Sequence, residues 1–139
     1  MTADHSLRRL RRLLARRHAT RRKDLARLAA AAQEARAAAL AEARVRHLLA
    51  ETSASAGPAH ARDLAARGTL VGLLAPALEA AHGRAASAAA RLTEQRSTAA
   101  RSAEACRILA DRLAQRRHLL AAERLERAQR DLPTRNRRP

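Results

Sequence analysis

The sequence predicts an all-α protein in which two long helices form an antiparallel coiled-coil hairpin. Ala, Arg and Leu supply 88 of the 139 residues, and all three rank high in helix propensity. Strand-forming residues are nearly absent, with two Val, one Ile and no aromatic residue. A break near the middle of the chain divides the helical sequence into two stretches, which favours a hairpin.

The composition also argues against a compact enzyme fold. Leu, Ile and Val together number 24, and the formal net charge is +16. Large side chains, above all aromatic ones, supply most of the buried area of ordinary globular cores. The sequence therefore predicts a thin core and a long exposed surface that other molecules can contact.

The first helix is expected from about Ser6, which is a suitable N-cap, to about Glu51. The apolar residues that define one face of it are Leu7, Leu10, Leu14, Leu25, Leu28, Ala32, Ala35 and Ala39. A strict heptad would place Arg17 and Arg21 in the seam. We therefore expect an eleven-residue step between the third and fourth of these apolar residues, which would keep them on one stripe.

The break is expected over residues 52–69. It begins with TSASAGPA, in which Ser, Gly and Pro disfavour a continuing helix, and it includes a short helical piece before Gly68. The second helix is expected over about residues 70–131 and opens with the most apolar stretch of the chain. Pro76 would lie in its first turn or kink it. Residues 132–139 form a basic tail.

A seven-residue spacing defines the stripe of the second helix. Its members are Leu92, Ala99, Cys106, Leu113 and Leu120. Leu109 accompanies them at the second seam position, where the other occupants are Gln95, Ser102, Arg116 and Glu123. A seam with this much Ala predicts close approach of the two backbones and little buried area.

Positive charge is concentrated towards the two ends of the sequence. Residues 1–30 have a net charge of +8 and residues 101–139 have +6, whereas the 70 residues between them have +2. A hairpin brings the two termini to the same end, where like charges repel and oppose folding. We expect an acidic partner at that end.

Motifs for chemistry are missing from the sequence. The four Gly form no phosphate-binding loop, and the six His stand singly without metal-ligand spacing. Cys106 lies on the seven-residue stripe and is expected to be a small buried hydrophobe. Glu123 and Glu126 are expected to pair with nearby Arg within the helix. We expect no enzyme activity, no cofactor, no metal and no small-molecule substrate.

Two other kinds of partner are compatible with the basic surface. Arg can bind duplex phosphates without sequence preference, although no aromatic residue offers a stacking platform for single strands. The segment SLRRLRRLLARR could lie on a lipid surface, but a coiled-coil seam flanked by Arg explains the same pattern and is preferred. No apolar run approaches the ~20 residues of a membrane span. The ratio of 28 Arg to one Lys suggests GC-rich coding, so we expect a bacterial cytoplasmic protein.

The organisation resembles the FliJ/YscO family, the small stalk proteins of flagellar and virulence type III secretion. The likeness rests on the basic L-x-x-L start, the break SASAGPA, the apolar stretch LLAPALEAA and the ending ERLERAQRDLPTR. It implies a hairpin similar to the central stalk of rotary ATPases. It also implies that the end with both termini enters a hexameric secretion ATPase, and that the protein contacts the export gate and substrate chaperones.

The resemblance implies two sets of contact residues. The ATPase contacts would be Arg8, Arg9, Arg11, Arg12, Arg16, Arg17, Arg124, Arg127 and Arg130. The export-gate contacts would be Leu74, Leu78 and Ala81, with His82 nearby. The expected function is thus a stalk in protein transport, peripheral to the inner membrane at its cytoplasmic face and not spanning it. Non-specific nucleic-acid binding and a self-associating structural coiled coil are the alternatives.

Overall fold

The structure, a computed structural model, describes residues 3–54 and 60–131. It contains helix α1, Ala3–Ala54, and helix α2, Ala61–Arg130. The two helices pack against each other as a helical hairpin, which confirms the predicted fold class. Gly57 and Pro58 of the expected break and the expected basic tail 132–139 lie outside the described residues.

Helix α2 begins earlier than predicted. We expected a break over residues 52–69, but α1 extends to Ala54 and α2 is helical from Ala61 through Gly68 and Pro76. A Gly in a helix costs only about 1 kcal/mol relative to Ala, and no described Gly has a positive φ. Val71, Leu74 and Leu78 are half-buried on one face of this stretch. Burial of an aliphatic side chain contributes about 1.5–3 kcal/mol when complete, so packing outweighs the local helix breakers.

The seven-residue stripe of α2 is confirmed and is longer than predicted. Its members remain buried or half-buried, and Ala85, Leu78 and Val71 continue the same spacing towards the start of the helix. The second seam positions lie between them, so the two sets alternate in steps of three and four along the helix. Gln95, Ser102 and Arg116 are half-buried at these positions, whereas Glu123 is exposed. Polar residues at these positions weaken the apolar stripe without interrupting the heptad.

The eleven-residue step predicted for α1 is wrong. Leu25 is 46% exposed, whereas Asp24 is buried at 5% and Arg21 is half-buried. Arg21 continues the heptad of Leu7 and Leu14, and Asp24 continues the second series that begins at Leu10, in which Arg17 is exposed. Because α2 keeps an uninterrupted heptad, a helix pairing with it must keep the same period or carry its side chains off the seam. The geometry of pairing therefore outweighs the preference for an apolar residue.

The chain divides into two compact units. Unit 1 comprises Met1–Lys23 and Ala100–Pro139, and unit 2 comprises Asp24–Ala99. Each unit pairs a segment of α1 with a segment of α2. In unit 1 the buried core is a cluster of Leu7, Leu113 and Leu120, against which Leu10 and Leu14 pack.

Unit 2 has a core of small side chains. Its buried hydrophobic residues are Ala31, Ala81, Ala88 and Ala99. Two contacts between polar side chains join α1 to α2 there, at 3.0 Å between Glu42 Oε1 and His82 Nδ1 and at 3.6 Å between Glu34 Oε2 and Arg91 Nη1. Alanine permits close packing but buries little area. Among the described residues, the buried leucines therefore lie in unit 1, whereas the seam leucines of unit 2, such as Leu74 and Leu78, are half-buried.

Candidate docking surface of unit 1

The charge of the protein is concentrated in unit 1. By sequence, unit 1 contains 20 basic and 6 acidic side chains, a net charge of +14, whereas unit 2 contains 9 and 7, a net charge of +2. All nine arginines that the resemblance assigns to the ATPase contact belong to unit 1 and are exposed. Their guanidinium groups are therefore accessible to a partner.

Arg127 and Arg130, which belong to these nine arginines, form ion pairs within α2. Arg127 Nη2 lies 3.7 Å from Glu123 Oε2, and Arg130 Nη2 lies 3.8 Å from Glu126 Oε2. The intrahelical pairing predicted for these glutamates is confirmed. Exposed pairs of this kind contribute less than about 1 kcal/mol, so a partner carboxylate can compete for either guanidinium.

A groove lies between α1 and α2 within unit 1, and arginines surround it. Its volume is about 430 Å³, and its lining consists of Leu7, Arg8, Arg11, Arg117, Leu120, Ala121 and Arg124. The two leucines also belong to the buried cluster, so they form an apolar floor beneath a cationic rim. We call this feature the arginine-rimmed groove. It can accept a group that is partly apolar and carries negative charge.

A second groove, of about 320 Å³, lies on another part of unit 1. Its lining is Ser6, Leu10, Arg112, Gln115, Arg116 and Leu119. This second groove has two arginines, both from α2. The arginine-rimmed groove has four, two from each helix. The stronger anion-binding geometry is therefore in the first groove.

The residues expected to contact an export gate lie on the seam of α2. Leu74 and Leu78 are half-buried, and Ala81 is 1% exposed. Ala81 presents almost no surface to a partner while the helices remain paired. On the same stretch, Leu70 and Leu73 are exposed, the latter at 66%. Counting heptads back from Leu92 places Leu74 and Leu78 at seam positions and Leu70 and Leu73 outside the seam. The sequence alone could therefore have distinguished the half-buried leucines from the exposed ones.

Sequence reasoning missed two carboxylates on the seam of α1. Asp24 is buried and lies 3.8 Å from Arg27. The side chain of Glu42 is 13% exposed and contacts both His82 and Arg46. The hydrogen bond with His82, with a smaller contribution from Arg46, lowers the pKa of Glu42 below its ordinary value of 4.5. A strict heptad from Leu7 would have placed both carboxylates in the seam.

The potentially reactive side chains are dispersed or covered. Cys106 is a free thiol and is 3% exposed, so its predicted burial is confirmed. The six histidines are exposed. Over residues 3–54 and 60–131, no group of three or more His, Cys, Asp or Glu side chains is placed to hold a metal ion.

Helix α2 contains one window whose length and composition would allow it to cross a membrane. The window has 18 residues, a mean hydropathy of 1.3 and 6% of its residues buried. An average over 18 residues tolerates up to two charged side chains, so this window does not contradict the expectation about uninterrupted apolar runs. A helix of a soluble protein can pass the same test, so the window assigns no location.

Comparison of the chain with protein-family models, curated proteins and solved structures finds no match. The functional interpretation therefore depends on the sequence, the charge distribution and the grooves of unit 1.

Proposed function

We propose that the protein is a non-enzymatic stalk of a type III secretion apparatus, which binds the hexameric secretion ATPase through unit 1 and links it to the export gate and chaperones. The observation that carries the proposal is the net charge of +14 in unit 1, against +2 in unit 2. The antiparallel hairpin supports it because the resemblance implies the same architecture. Hydrolysis belongs to the partner.

The charge of unit 1 favours a partner that neutralises it. Like charges crowded on two paired helices repel each other and destabilise the folded state. An acidic surface around unit 1 would relieve this repulsion and accelerate encounter through electrostatic attraction. The lumen of a ring is a surface that can surround both helices at once.

For the contact with the export gate, we propose unit 2. Leu70 and Leu73 are exposed apolar side chains on α2, whereas Leu74 and Leu78 are half-buried on the seam. We therefore place the gate-side contact of the proposal on Leu70 and Leu73. A contact there requires no separation of the helices.

A titration of the secretion ATPase encoded in the same genome tests the proposal. Increasing amounts of the protein are added while complex mass and ATP hydrolysis are measured. We expect saturation at one chain per hexamer and a change in the hydrolysis rate. Absence of a complex together with an unchanged rate would refute the proposal.

A matched pair of triple variants tests which unit binds. In the first, Arg9, Arg12 and Arg16 of unit 1 are changed to Glu. In the second, Arg36, Arg44 and Arg62 of unit 2 are changed to Glu. All six are exposed, and the two variants have the same net charge. We expect the first to weaken ATPase binding by at least about tenfold and the second to have little effect, because like-charge contacts across an interface are costly.

Non-specific nucleic-acid binding is the rival that the same charge favours. It predicts duplex affinity that falls steeply with salt and is similar for any sequence. The stalk proposal predicts that the ATPase complex persists at salt concentrations that abolish duplex binding. Loss of both complexes at the same salt concentration would favour the rival. Light scattering that gives a monomer would exclude the third candidate, a self-associating coiled coil.

A further inference from the structure

The arginine-rimmed groove combines two features that a merely basic surface does not have. Its floor is apolar, formed by Leu7 and Leu120, and its rim has two arginines from each helix. We propose, on the basis of the proposed function, that this groove receives an acidic segment of the secretion ATPase. One aliphatic side chain of that segment enters between the helices, and carboxylates beside it pair with the rim.

The rim provides cations that remain available. Among residues 5–54 and 60–131, Arg8, Arg11 and Arg117 form no ion pair. The planar guanidinium fork matches the geometry of a carboxylate and can bind it through two parallel hydrogen bonds. Because α1 and α2 both supply such groups, carboxylates on two sides of one segment can be held at once.

The floor distinguishes a protein segment from a nucleic acid. Phosphates of a duplex would pair with the rim but would place no apolar group over Leu7 and Leu120. An aliphatic side chain flanked by carboxylates would cover both features, as in the binding of an amphipathic helix to a groove. The volume of about 430 Å³ lies within the roughly 300–1,000 Å³ of ligand clefts, so an aliphatic side chain fits.

Filling the groove without changing any charge tests the proposal. Ala121 is exposed and lines the groove, so Ala121→Leu places an aliphatic side chain in the space meant for the partner. Ala114→Leu is the matched control, because Ala114 is exposed at the same heptad position one repeat earlier and does not line the groove. Leu ranks next to Ala in helix propensity, so both variants should retain the helix, which circular dichroism verifies.

The full-length protein and its two variants are titrated against the ATPase hexamer and, separately, against a short DNA duplex. We expect Ala121→Leu to weaken ATPase binding roughly tenfold or more, since an anchor in a central pocket dominates an interface. Ala114→Leu should bind like the wild type. Duplex affinity should be the same for all three proteins, because their charge is the same.

The outcomes separate this proposal from the proposed function. If the wild type binds the ATPase and Ala121→Leu binds equally well, the groove assignment is overturned while the stalk function stands. If Ala121→Leu and Ala114→Leu lose the same affinity, the effect is not specific to the groove, and the assignment is overturned. If the wild type does not bind the ATPase, both proposals are overturned.

Discussion

Replacing Leu113 with Ala should destabilise the protein far more than the same substitution at Leu125. Leu113 is buried in the leucine cluster of unit 1, whereas Leu125 is 64% exposed on the same helix. Leu→Ala substitutions in protein cores cost about 2–5 kcal/mol, which combines lost burial with the cavity left behind. The cluster of unit 1 is small, so we expect a value at the lower end, about 2–3 kcal/mol.

Chemical and thermal unfolding followed by circular dichroism at the helix band provide the measurement. For a chain of this length, a loss of 2–3 kcal/mol corresponds to a fall in Tm of roughly 5–15 °C. Leu125→Ala should change the free energy of unfolding by less than about 0.5 kcal/mol, as is usual for surface substitutions. Equal destabilisation by the two substitutions would refute the assignment of the core to the leucine cluster.

Three further predictions concern other parts of the hairpin. The lowered pKa of Glu42 means that its carboxylate stabilises the fold fully above its ordinary pKa of 4.5, so Glu42→Gln should lower the Tm at neutral pH. This difference should shrink as the pH falls below 4.5 and vanish below the lowered pKa of the folded state. A difference that does not depend on pH would contradict this. The thiol of Cys106 should react with an aromatic disulfide reagent many-fold more slowly in native protein than in guanidinium chloride, and equal rates would show that it is exposed. Pro76→Ala should raise the free energy of unfolding by up to about 3 kcal/mol, because Ala supplies the backbone N–H donor that Pro76 lacks within α2. Unfolding in urea measures this change, and a loss of stability would contradict the prediction.

The fold could be predicted from the sequence because helix propensity and spacing agree. The seven-residue spacing of Cys106, Leu113 and Leu120 directly identified the face of α2 that is buried. Leu7, Leu10 and Leu14 were correctly assigned to one face of α1 for the same reason. Each of these residues is apolar where the heptad requires an apolar residue, so the pattern has one interpretation.

Prediction failed where side-chain chemistry and heptad position disagree. Side-chain chemistry favours burial of Leu25 and exposure of Asp24. The heptad period of α2, with which α1 pairs, instead places Asp24 in the seam and leaves Leu25 exposed. Gly68 and Pro76 favour a break, yet burial of the neighbouring aliphatic residues keeps α2 continuous. The local cost of Gly or Pro in a helix is about 1–3 kcal/mol, and the combined packing of many seam side chains outweighs it. Helix propensity judged one residue at a time does not include that combined packing.

The candidate site was predictable only as a concentration of charge. The exposed arginines of unit 1 follow from sequence, because charged residues outside the seam of a two-helix coiled coil face solvent. The arginine-rimmed groove does not follow, since it depends on which residues of α2 lie opposite Arg8 and Arg11. That register is set by packing between segments that are far apart in sequence.

Hydrogen–deuterium exchange on the complex with the secretion ATPase reports which unit the partner covers, and so tests the claim that unit 1 is the docking surface. We expect backbone amides of residues 5–23 and 112–130 to become more protected in the complex. Amides of residues 40–54 and 61–80 in unit 2 should exchange as in the free protein. Protection confined to unit 2, or no change in unit 1 when the ATPase is saturating, would contradict the claim.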